Sequence, residues 1–293
     1  MKKVWFDAGH GGKDSGAAAN GLKEKDVVLQ MVKRAKSYLE SNYKGVEVKL
    51  TRSTDVFYEL SERADMANRW GADVFVSFHI NAGGGTGFET FRYPGTAGDT
   101  LKLQECLHFE VLTTMKAYGQ IVDRGLKQAN LAVVRETHMP AVLTENLFID
   151  RREDADRLKD SGFVKAIAEA HARGVAKYLG LSGGTSKKPA ASAPKKSEPK
   201  KESKKPASKK YTLPSGIYKV KSPLMKGTAV RQIQEALAAL YFYPDKGAKN
   251  NGIDGYYGPK TANAVKRFQM MHGLSADGIY GPKTKAKLES LLK

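Results

Sequence analysis

The sequence predicts an α/β fold with a mostly parallel sheet flanked by helices, followed by a small three-helix domain. Between Val4 and Leu181, short apolar runs typical of buried strands alternate with segments whose apolar residues have helical spacing. After residue 216 the pattern changes to turns that each lead into a helix. A stretch rich in Lys and Pro separates the two patterns. We therefore predict domains at 1–182 and 217–293, joined by a linker at 183–216.

The first predicted strand ends in a turn that carries a histidine. The apolar run Val4–Phe6 stops at Asp7, and a glycine-rich turn with His10 follows. A helix then begins near Glu24. A His and a Glu at the two ends of one strand-to-helix connection are candidate metal ligands. They could equally be a turn histidine and a first-turn acid that stabilises the helix dipole, and this stretch alone leaves both readings open.

The second buried strand repeats this arrangement. A strand is predicted at 46–50 and a helix at 60–70, after which the apolar run 73–78 leads directly into His79. The loop that follows contains Asn81 and three glycines. Because parallel strands place their following loops on one edge of the sheet, we expect His10 and His79 to meet. Asn81 either contacts a ligand from this exposed loop or caps a turn.

The remainder of the first domain supplies a second acid. Glu145 lies two residues after Leu143 and therefore on the same face of an extended chain. Asp150 is predicted to cap a short helix. The other predicted elements are strands at 87–93, 131–134 and 141–143 and helices at 100–118 and 163–181.

Composition and charge limit the functional class. The net charge of +18 is uneven: residues 1–182 carry +2, residues 183–210 carry +8 and residues 211–293 carry +8. The basic second half indicates an anionic partner surface. The single cysteine, Cys106, excludes an internal disulfide and a cysteine-based zinc site. No apolar run reaches the length of a membrane span. No secretion signal is visible, so we expect action outside the cytoplasm to need another release route.

The linker and the last domain have distinct signatures. Residues 183–210 contain only Gly, Thr, Ser, Lys, Pro, Ala and Glu, which predicts an extended, self-repelling segment, although its charge could serve solubility alone. The turn Asp254–Thr261 recurs 23 positions later as Asp277–Thr284 with seven of eight residues identical. Each copy leads into a helix, and a further helix is predicted at 230–240. Without an acid and histidine cluster, this unit is interpreted as a binding module.

These motifs resemble a known family. The motifs that carry the resemblance are, in chain order, Asp7-Ala-Gly-His-Gly-Gly, Gly21-Leu-Lys-Glu, Leu50-Thr-Arg, the helix with Arg63 and Ala67-Asn68, Ser77-Phe-His-Ile-Asn-Ala and Pro140-Ala-Val-Leu-Thr-Glu, then Val230-Arg-Gln-Ile-Gln and the two Asp-Gly-x-Tyr-Gly turns. Through them residues 1–181 resemble the zinc-dependent N-acetylmuramoyl-L-alanine amidases of bacterial cell-wall lysis, and residues 217–293 resemble the peptidoglycan-binding module of wall hydrolases. The family pattern has a small or apolar residue and a glycine after its last Glu, where this chain has Asn146 and Leu147.

The resemblance implies roles for the candidate residues. His10, Glu24 and His79 would be zinc ligands, and Glu145 would be the catalytic acid/base. The alternative for Glu145 is a structural acid paired with an arginine such as Arg135. Two imidazoles and one carboxylate are a donor set that suits catalytic zinc. The implied reaction is hydrolysis of the amide between N-acetylmuramic acid and L-alanine, with peptidoglycan and anionic cell-wall polymers as partners.

Three functional classes compete for this sequence. A lytic amidase, either a phage endolysin released through a pore or an autolysin freed on lysis, accounts for the complete set of motifs. A non-catalytic wall-binding protein with a degenerate amidase fold is the alternative, against which the intact candidate residues argue. A nucleic-acid binder is suggested only by the charge, and the +2 balance of the first domain disfavours it.

Overall fold

The computed structural model describes residues 1–183, 213–240, 242–245, 248–272 and 274–292, without the side chains of Met270 and Met271. The chain divides into two compact units. Most of the predicted linker, residues 184–212, lies outside the described residues, so the predicted domain boundaries remain predictions.

A six-stranded, mostly parallel sheet forms the centre of the first unit, as predicted. Its strand order is β4-β1-β5-β8-β6-β7, and only the pairing of β6 with β8 is antiparallel among the described strands of this sheet. A separate hairpin is formed by β2 and β3. The strands are β1 (Lys2–Ala8), β2 (Ala18–Ala19), β3 (Leu22–Lys23), β4 (Val46–Leu50), β5 (Val74–Asn81), β6 (Phe88–Arg92), β7 (Asp123–Gln128) and β8 (Ala141–Phe148).

Helices cover both faces of this sheet. On one face, α1, α3 and α6 pack over a core that includes Phe6, Phe78 and Ile167. On the other face, α2 and α4 pack against Trp5 and Phe75. Since side chains alternate along each strand, these two cores use alternate strand residues. The helices are α1 (Glu24–Asn42), α2 (Leu60–Trp70), α3 (Asp99–Lys116), α4 (Ala132–Arg135), α5 (Arg152–Lys159) and α6 (Ser161–Leu179).

Three local predictions differ from the structure. The strand predicted at 131–134 is wrong: Leu131 is the residue before the short helix α4, and the other three residues belong to that helix. An apolar run of four residues fits a buried helical turn as well as a strand. Strand β7 was not predicted, since its polar sequence has no apolar run. Asp150 caps no helix; its carboxylate accepts hydrogen bonds from the amides of Gly83 and Gly84, both at 2.8 Å.

The second unit is a helical module, as predicted. The amide nitrogen of Gln234 donates to Asp254 and Thr261, and its carbonyl oxygen accepts from the amide of Gly255. Gln269 binds the second copy of the repeated turn in the same way. The repeat therefore consists of two turns that each fold around a buried glutamine. The module's α-helices among the described residues are α7 (Thr228–Ala239), α8 (Pro259–Met271) and α9 (Pro282–Leu291).

No helix within the described ranges is both long and apolar enough to cross a membrane.

Candidate functional site

The loop after β1 holds His10 in a constrained backbone conformation. His10 has φ 61°, a left-handed conformation that costs a residue with a side chain about 1–2 kcal/mol. Its Nδ1–H donates to the carboxylate of Asp14 at 2.7 Å, which directs Nε2 toward Glu24. The backbone amides of Gly11 and Asp14 each bond to the other residue's carbonyl, at 2.8 and 3.0 Å. The imidazole orientation is therefore fixed from both the backbone and the side chain.

Two buried arginines, Arg52 and Arg63, hold this loop by donating hydrogen bonds to its backbone carbonyls. The Arg63 guanidinium donates to Asp7 at 3.0 Å and to the carbonyls of Ala8 and His10, both at 2.8 Å. Arg52 donates to the carbonyls of Ala8 and Gly9 at 3.0 and 2.8 Å. Burial alone would raise the pKa of Asp7, but Arg63 and the Ser77 hydroxyl outweigh burial and hold it below its usual value. From the sequence, Arg52 and Arg63 were recognised only as parts of family motifs, and their contacts with the His10 loop were not predicted.

Glu24 is the first residue of α1 and lies between the two histidines. Its Oε1 accepts from the amide of Ile80 at 2.8 Å, and its Oε2 accepts from the amide of Ala17 at 2.9 Å. The same two oxygens lie 3.0 Å from His79 Nδ1 and 3.2 Å from His10 Nε2. The acid is 3% exposed, so these contacts form in a nearly dry environment.

The structure brings the three predicted ligands together. Ligand atoms of His10, Glu24 and His79 all lie within 4.8 Å of one another, and the two imidazole centroids are 4.9 Å apart at 78°. His79 lies within β5, close to its end, one strand over from His10 in the sheet. The expectation that parallel strand ends bring both histidines together is therefore confirmed, and the three residues form a possible metal site.

Glycines make this close approach possible. A Cβ at Gly9 would lie 2.3 Å from the His79 ring, so any larger residue would displace the imidazole. A Cβ at Gly16 would lie 2.6 Å from both Glu24 and the His10 ring, and Gly16 also has φ +62°. The glycines around His10 thus leave room for the ligands rather than only bending the chain.

The surroundings of His10, Glu24 and His79 stabilise protonated histidines and an ionised glutamate. Burial alone would lower the pKa of His10, but Glu24 and Asp14 outweigh it and raise that pKa to about 9. The pKa of His79 is also raised by Glu24, against the effect of burial. In turn the histidines lower the pKa of Glu24, although burial opposes this. A site that binds protons this firmly suits a divalent cation, which can replace them.

Glu145 lies beside this cluster on the central strand β8. It pairs in register with His79 and shares the cleft with the three candidate ligands. Its Oε2 is buried and has no hydrogen-bond partner among the residues that the structure describes. Burial raises the pKa of Glu145 to about 7, with negative Glu24 adding to the effect and His79 opposing it. The alternative pairing with Arg135 is not found, because that guanidinium contacts Asn130 and Glu136 instead.

Asn81 reaches the cleft, but its side chain is occupied within the chain. Its Nδ2 donates to Glu89 at 2.7 Å, and its Oδ1 accepts from the amide of Ala82 at 2.8 Å. Glu89 is 2% exposed and ion-pairs with Arg124 at 3.0 Å and with Lys127. The contact to substrate predicted for Asn81 remains a prediction. The sequence did not single out Glu89 as a residue that holds Asn81. Its ionic partners Arg124 and Lys127 lie on β7, a strand that was not predicted.

A cleft of about 570 Å³ is lined by the three candidate ligands and by Glu145 and Asn81. Apolar and aromatic residues complete the lining. They include Phe57, Tyr58 and Leu60, at and just before the start of α2, and Leu131 and Val133, at the start of α4. A possible metal site next to a carboxyl with one unpartnered oxygen, in a cleft that is partly lined by apolar residues, is an arrangement suited to hydrolysis of a bound substrate.

Comparison with known families agrees with this class and makes it specific. Residues 4–177 match the N-acetylmuramoyl-L-alanine amidase family, and residues 226–288 match a peptidoglycan binding domain. The chain therefore belongs to the N-acetylmuramoyl-L-alanine amidase family. It is a cell-wall hydrolase that cleaves the amide between N-acetylmuramic acid and L-alanine of peptidoglycan, as the sequence predicted.

Individual relatives support this assignment. An endolysin of Bacillus phage SPP1 is 57% identical over 197 residues, which are 66% of this chain and 70% of that protein. The amidase CwlM of Bacillus licheniformis is 47% identical over 182 residues, 62% of this chain and 70% of that protein. The solved catalytic domain of CwlV from Bacillus (Paenibacillus) polymyxa var. colistinus is 35% identical with a TM-score of 0.58, and the match covers 62% of this chain and 99% of that domain.

Proposed function

We propose that His10, Glu24 and His79 hold a zinc ion and that Glu145 is the acid/base of the amidase reaction. The observation that carries the proposal is the buried, partner-free Oε2 of Glu145 beside three converging ligands. An unpaired buried carboxyl oxygen costs folding free energy, so its position calls for a functional explanation.

The donor set suits zinc. Two imidazoles and one carboxylate give the three protein ligands that catalytic zinc sites use, and they leave a position for water. The Asp14 carboxylate on His10 Nδ1 matches the carboxylate–histidine–metal arrangement that orients ligand histidines. Zinc bound there would polarise the scissile carbonyl and lower the pKa of a water molecule from about 15.7 towards about 7.

Glu145 transfers the proton. Its pKa of about 7 allows it to be deprotonated at neutral pH and yet basic enough to accept a proton from the attacking water. Glu145 then donates this proton to the leaving nitrogen of L-alanine as the amide bond breaks. The walls of the cleft exclude bulk water from the reacting groups, and Asn81 on its loop contacts the substrate beside them.

The second half of the chain directs the enzyme to the wall. The helical module binds peptidoglycan, and the positive charge of residues 183–293 attracts anionic wall polymers. We further propose that the enzyme reaches the wall after release through a pore or on lysis. These points are inferred from charge, composition and relatives such as the phage endolysin.

Metal removal tests the catalytic proposal. We expect purified protein to contain one zinc ion per chain, to lose hydrolysis of purified sacculi on chelation and to recover it when zinc is added back. Mass spectrometry of the products should show new N-terminal L-alanine and intact muramic acid. Full activity in metal-free protein would refute the zinc assignment, and reducing sugar ends instead of L-alanine would refute the bond assignment.

A further inference from the structure

Lys13 lies on the turn that carries His10 and contacts Phe57, which lines the cleft; we refer to this position as the rim of the cleft. The exposed Lys13 follows Gly12, whose amide donates to Asp55 at 2.8 Å. The turn is closed by the two backbone hydrogen bonds between Gly11 and Asp14. The backbone from which the lysine side chain extends is therefore fixed relative to the proposed zinc ligand.

An aromatic ring positions the Lys13 ammonium. Its Nζ lies 4.4 Å from the centroid of the Phe57 ring, within the range of a cation–π contact. Phe57 is one of the residues that line the cleft. Its backbone packs tightly on the His10 turn, because a Cβ at Gly12 would lie 2.9 Å from the Phe57 amide nitrogen. The lysine and the ring thus form one unit at the cleft edge.

Among the described residues this ammonium has no acidic partner, whereas two neighbouring cations do. Lys25 pairs with Asp55 at 2.7 Å, and Arg63 pairs with Asp7. Among the described residues of this loop and cleft, Lys13 forms no ion pair. The cleft itself is lined by several carboxylates, which would repel an anionic substrate. A free cation held at the rim offsets that repulsion at one place.

We propose that Lys13, positioned by Phe57, binds a carboxylate of the peptidoglycan stem peptide and thereby makes the enzyme prefer stems in which that group is ionised. The inference rests on the proposed amidase site. The stem continues from L-alanine into a D-glutamate whose α-carboxyl is free in some walls and amidated in others. That carboxyl is separated from the scissile amide by the L-alanine residue, so it leaves the floor of the cleft and reaches its rim.

The contact should act on binding rather than on the chemical step. A carboxylate held equally in the ground state and the transition state lowers KM and leaves kcat unchanged. An exposed ion pair of this kind corresponds to a preference of up to about fivefold in kcat/KM. Because the pair is exposed, the preference should shrink as salt concentration rises.

Two matched soluble muropeptides test the inference, one with the free carboxyl and one with the same group as an amide. We expect the full chain to show the preference for the acid, Lys13→Met to bring the ratio of the two kcat/KM values to about one, and Lys13→Arg to restore the preference. The matched control is Lys33→Met, at an exposed lysine of α1 nine residues beyond Glu24 and about 13 Å along the helix.

Each outcome decides the point. An equal rate on both muropeptides in the unmodified chain, an unchanged ratio in K13M, or an equal loss of the preference in K33M would overturn the role of Lys13 while leaving the amidase site intact. A chain that hydrolyses neither muropeptide would overturn the proposed catalytic site together with this inference. Zinc content and thermal unfolding of each variant show whether a change in ratio comes from altered folding.

Discussion

At the scale of single residues, the carboxyl of Glu145 differs from the buried acids Glu24 and Asp7 because one of its oxygens has no partner among the described residues. Glu24 accepts two backbone amides, and Asp7 is paired with Arg63, so both are held as anions. Glu145, with a pKa near 7, can take up and release a proton within one turnover. The roles proposed for the two glutamates, metal ligand for Glu24 and acid/base for Glu145, agree with this difference in hydrogen bonding.

Glu145→Gln should abolish hydrolysis while the fold and the metal are kept. The substitution preserves size and hydrogen-bonding capacity but removes the proton acceptor, so we expect kcat to fall by about 10²–10⁴. The measurement is single-substrate kinetics on a soluble muropeptide, with metal content determined in parallel. Glu136→Gln, at a partly exposed acid paired with Arg135, is the matched control and should keep normal kinetics. Wild-type rates in the Glu145 variant would assign proton transfer to another group.

At the scale of secondary structure, a bulge in β8 follows the proposed acid. The pairing of β5 with β8 shifts register between His79 and Asn81, so that β8 contains one extra residue. Leu147 in this bulge has φ 70° and is fully buried. The family pattern places a glycine in this segment, and the left-handed backbone explains why. Bulges of this kind next to active sites redirect side chains, and this one ends the regular pairing just beyond Glu145.

At position 147 we therefore expect a glycine variant to be more stable than an alanine variant, the reverse of the usual order. Leu147→Ala and Leu147→Gly both lose the buried side chain and its packing, at a cost of about 2–5 kcal/mol. Only glycine also relieves the left-handed strain, so the Gly variant should be the more stable of the two by about 1 kcal/mol. Denaturant unfolding monitored by tryptophan fluorescence measures this difference.

Leu143, on the same strand but without positive φ, is the matched comparison. There Leu143→Gly should be less stable than Leu143→Ala by about 0.5–1 kcal/mol, the usual order inside a strand. The same order at both positions would show that Leu147 is not strained.

His171, a neutral histidine on α6, contacts Thr144 of β8 in the core. His171 is fully buried, donates from Nδ1 to the carbonyl of Ile167 at 2.7 Å and contacts the Thr144 hydroxyl through Nε2 at 3.1 Å. Its ring also packs on Phe78, with centroids 4.3 Å apart. Burial lowers the pKa of His171 to about 4 from an ordinary value of 6.5. Protonation would break the contact at Nε2 and place a charge in the core.

The free energy of unfolding should therefore fall as pH decreases from about 6.5 to about 4. Between these two pH values the histidine binds a proton in the unfolded chain but not in the folded chain. The contribution of neutral His171 to the free energy of unfolding is therefore complete above pH 6.5 and decreases as the pH falls to about 4, by about 3 kcal/mol in total. Urea unfolding at several pH values measures this loss. His171→Gln should flatten the curve in this window, whereas His138→Gln, at an exposed histidine, is the control. An equally steep curve in the His171 variant would contradict the assignment.

The sequence predicted the sheet, the converging histidines and the position of Glu145 because each depends on local pattern and strand topology. It did not predict the contacts of Arg52 and Arg63, whose partners are backbone carbonyls of a distant loop. Strand β7 also escaped prediction, because a polar edge strand has no apolar periodicity. The features that could not be predicted are thus hydrogen bonds between residues far apart in the chain, because such bonds produce no local sequence pattern.

At the scale of the whole molecule, charge and catalysis belong to different parts of the chain. Residues 1–182 carry +2 and contain the entire candidate site, whereas residues 183–293 carry +16. The composition of the linker predicts a tether that raises the local concentration of the catalytic unit on the wall without contacting the site. Removing residues 183–293 should therefore affect access to the polymer and not the chemistry.

A chain that ends at Ser182 should fold, keep zinc and cleave soluble muropeptides as fast as the full chain. On purified sacculi at low salt it should be slower, because it lacks both the wall-binding module and the attraction of the basic residues. The difference should shrink as salt shortens the screening length from about 10 Å at 0.1 M to about 3 Å at 1 M, and the part that remains at high salt measures recognition by the module. A full-length variant with the linker lysines changed to glutamine separates the charge of the linker from that module. Equal wall binding and lysis by the truncated and full chains at low salt would show that residues 183–293 do not direct the enzyme to the wall.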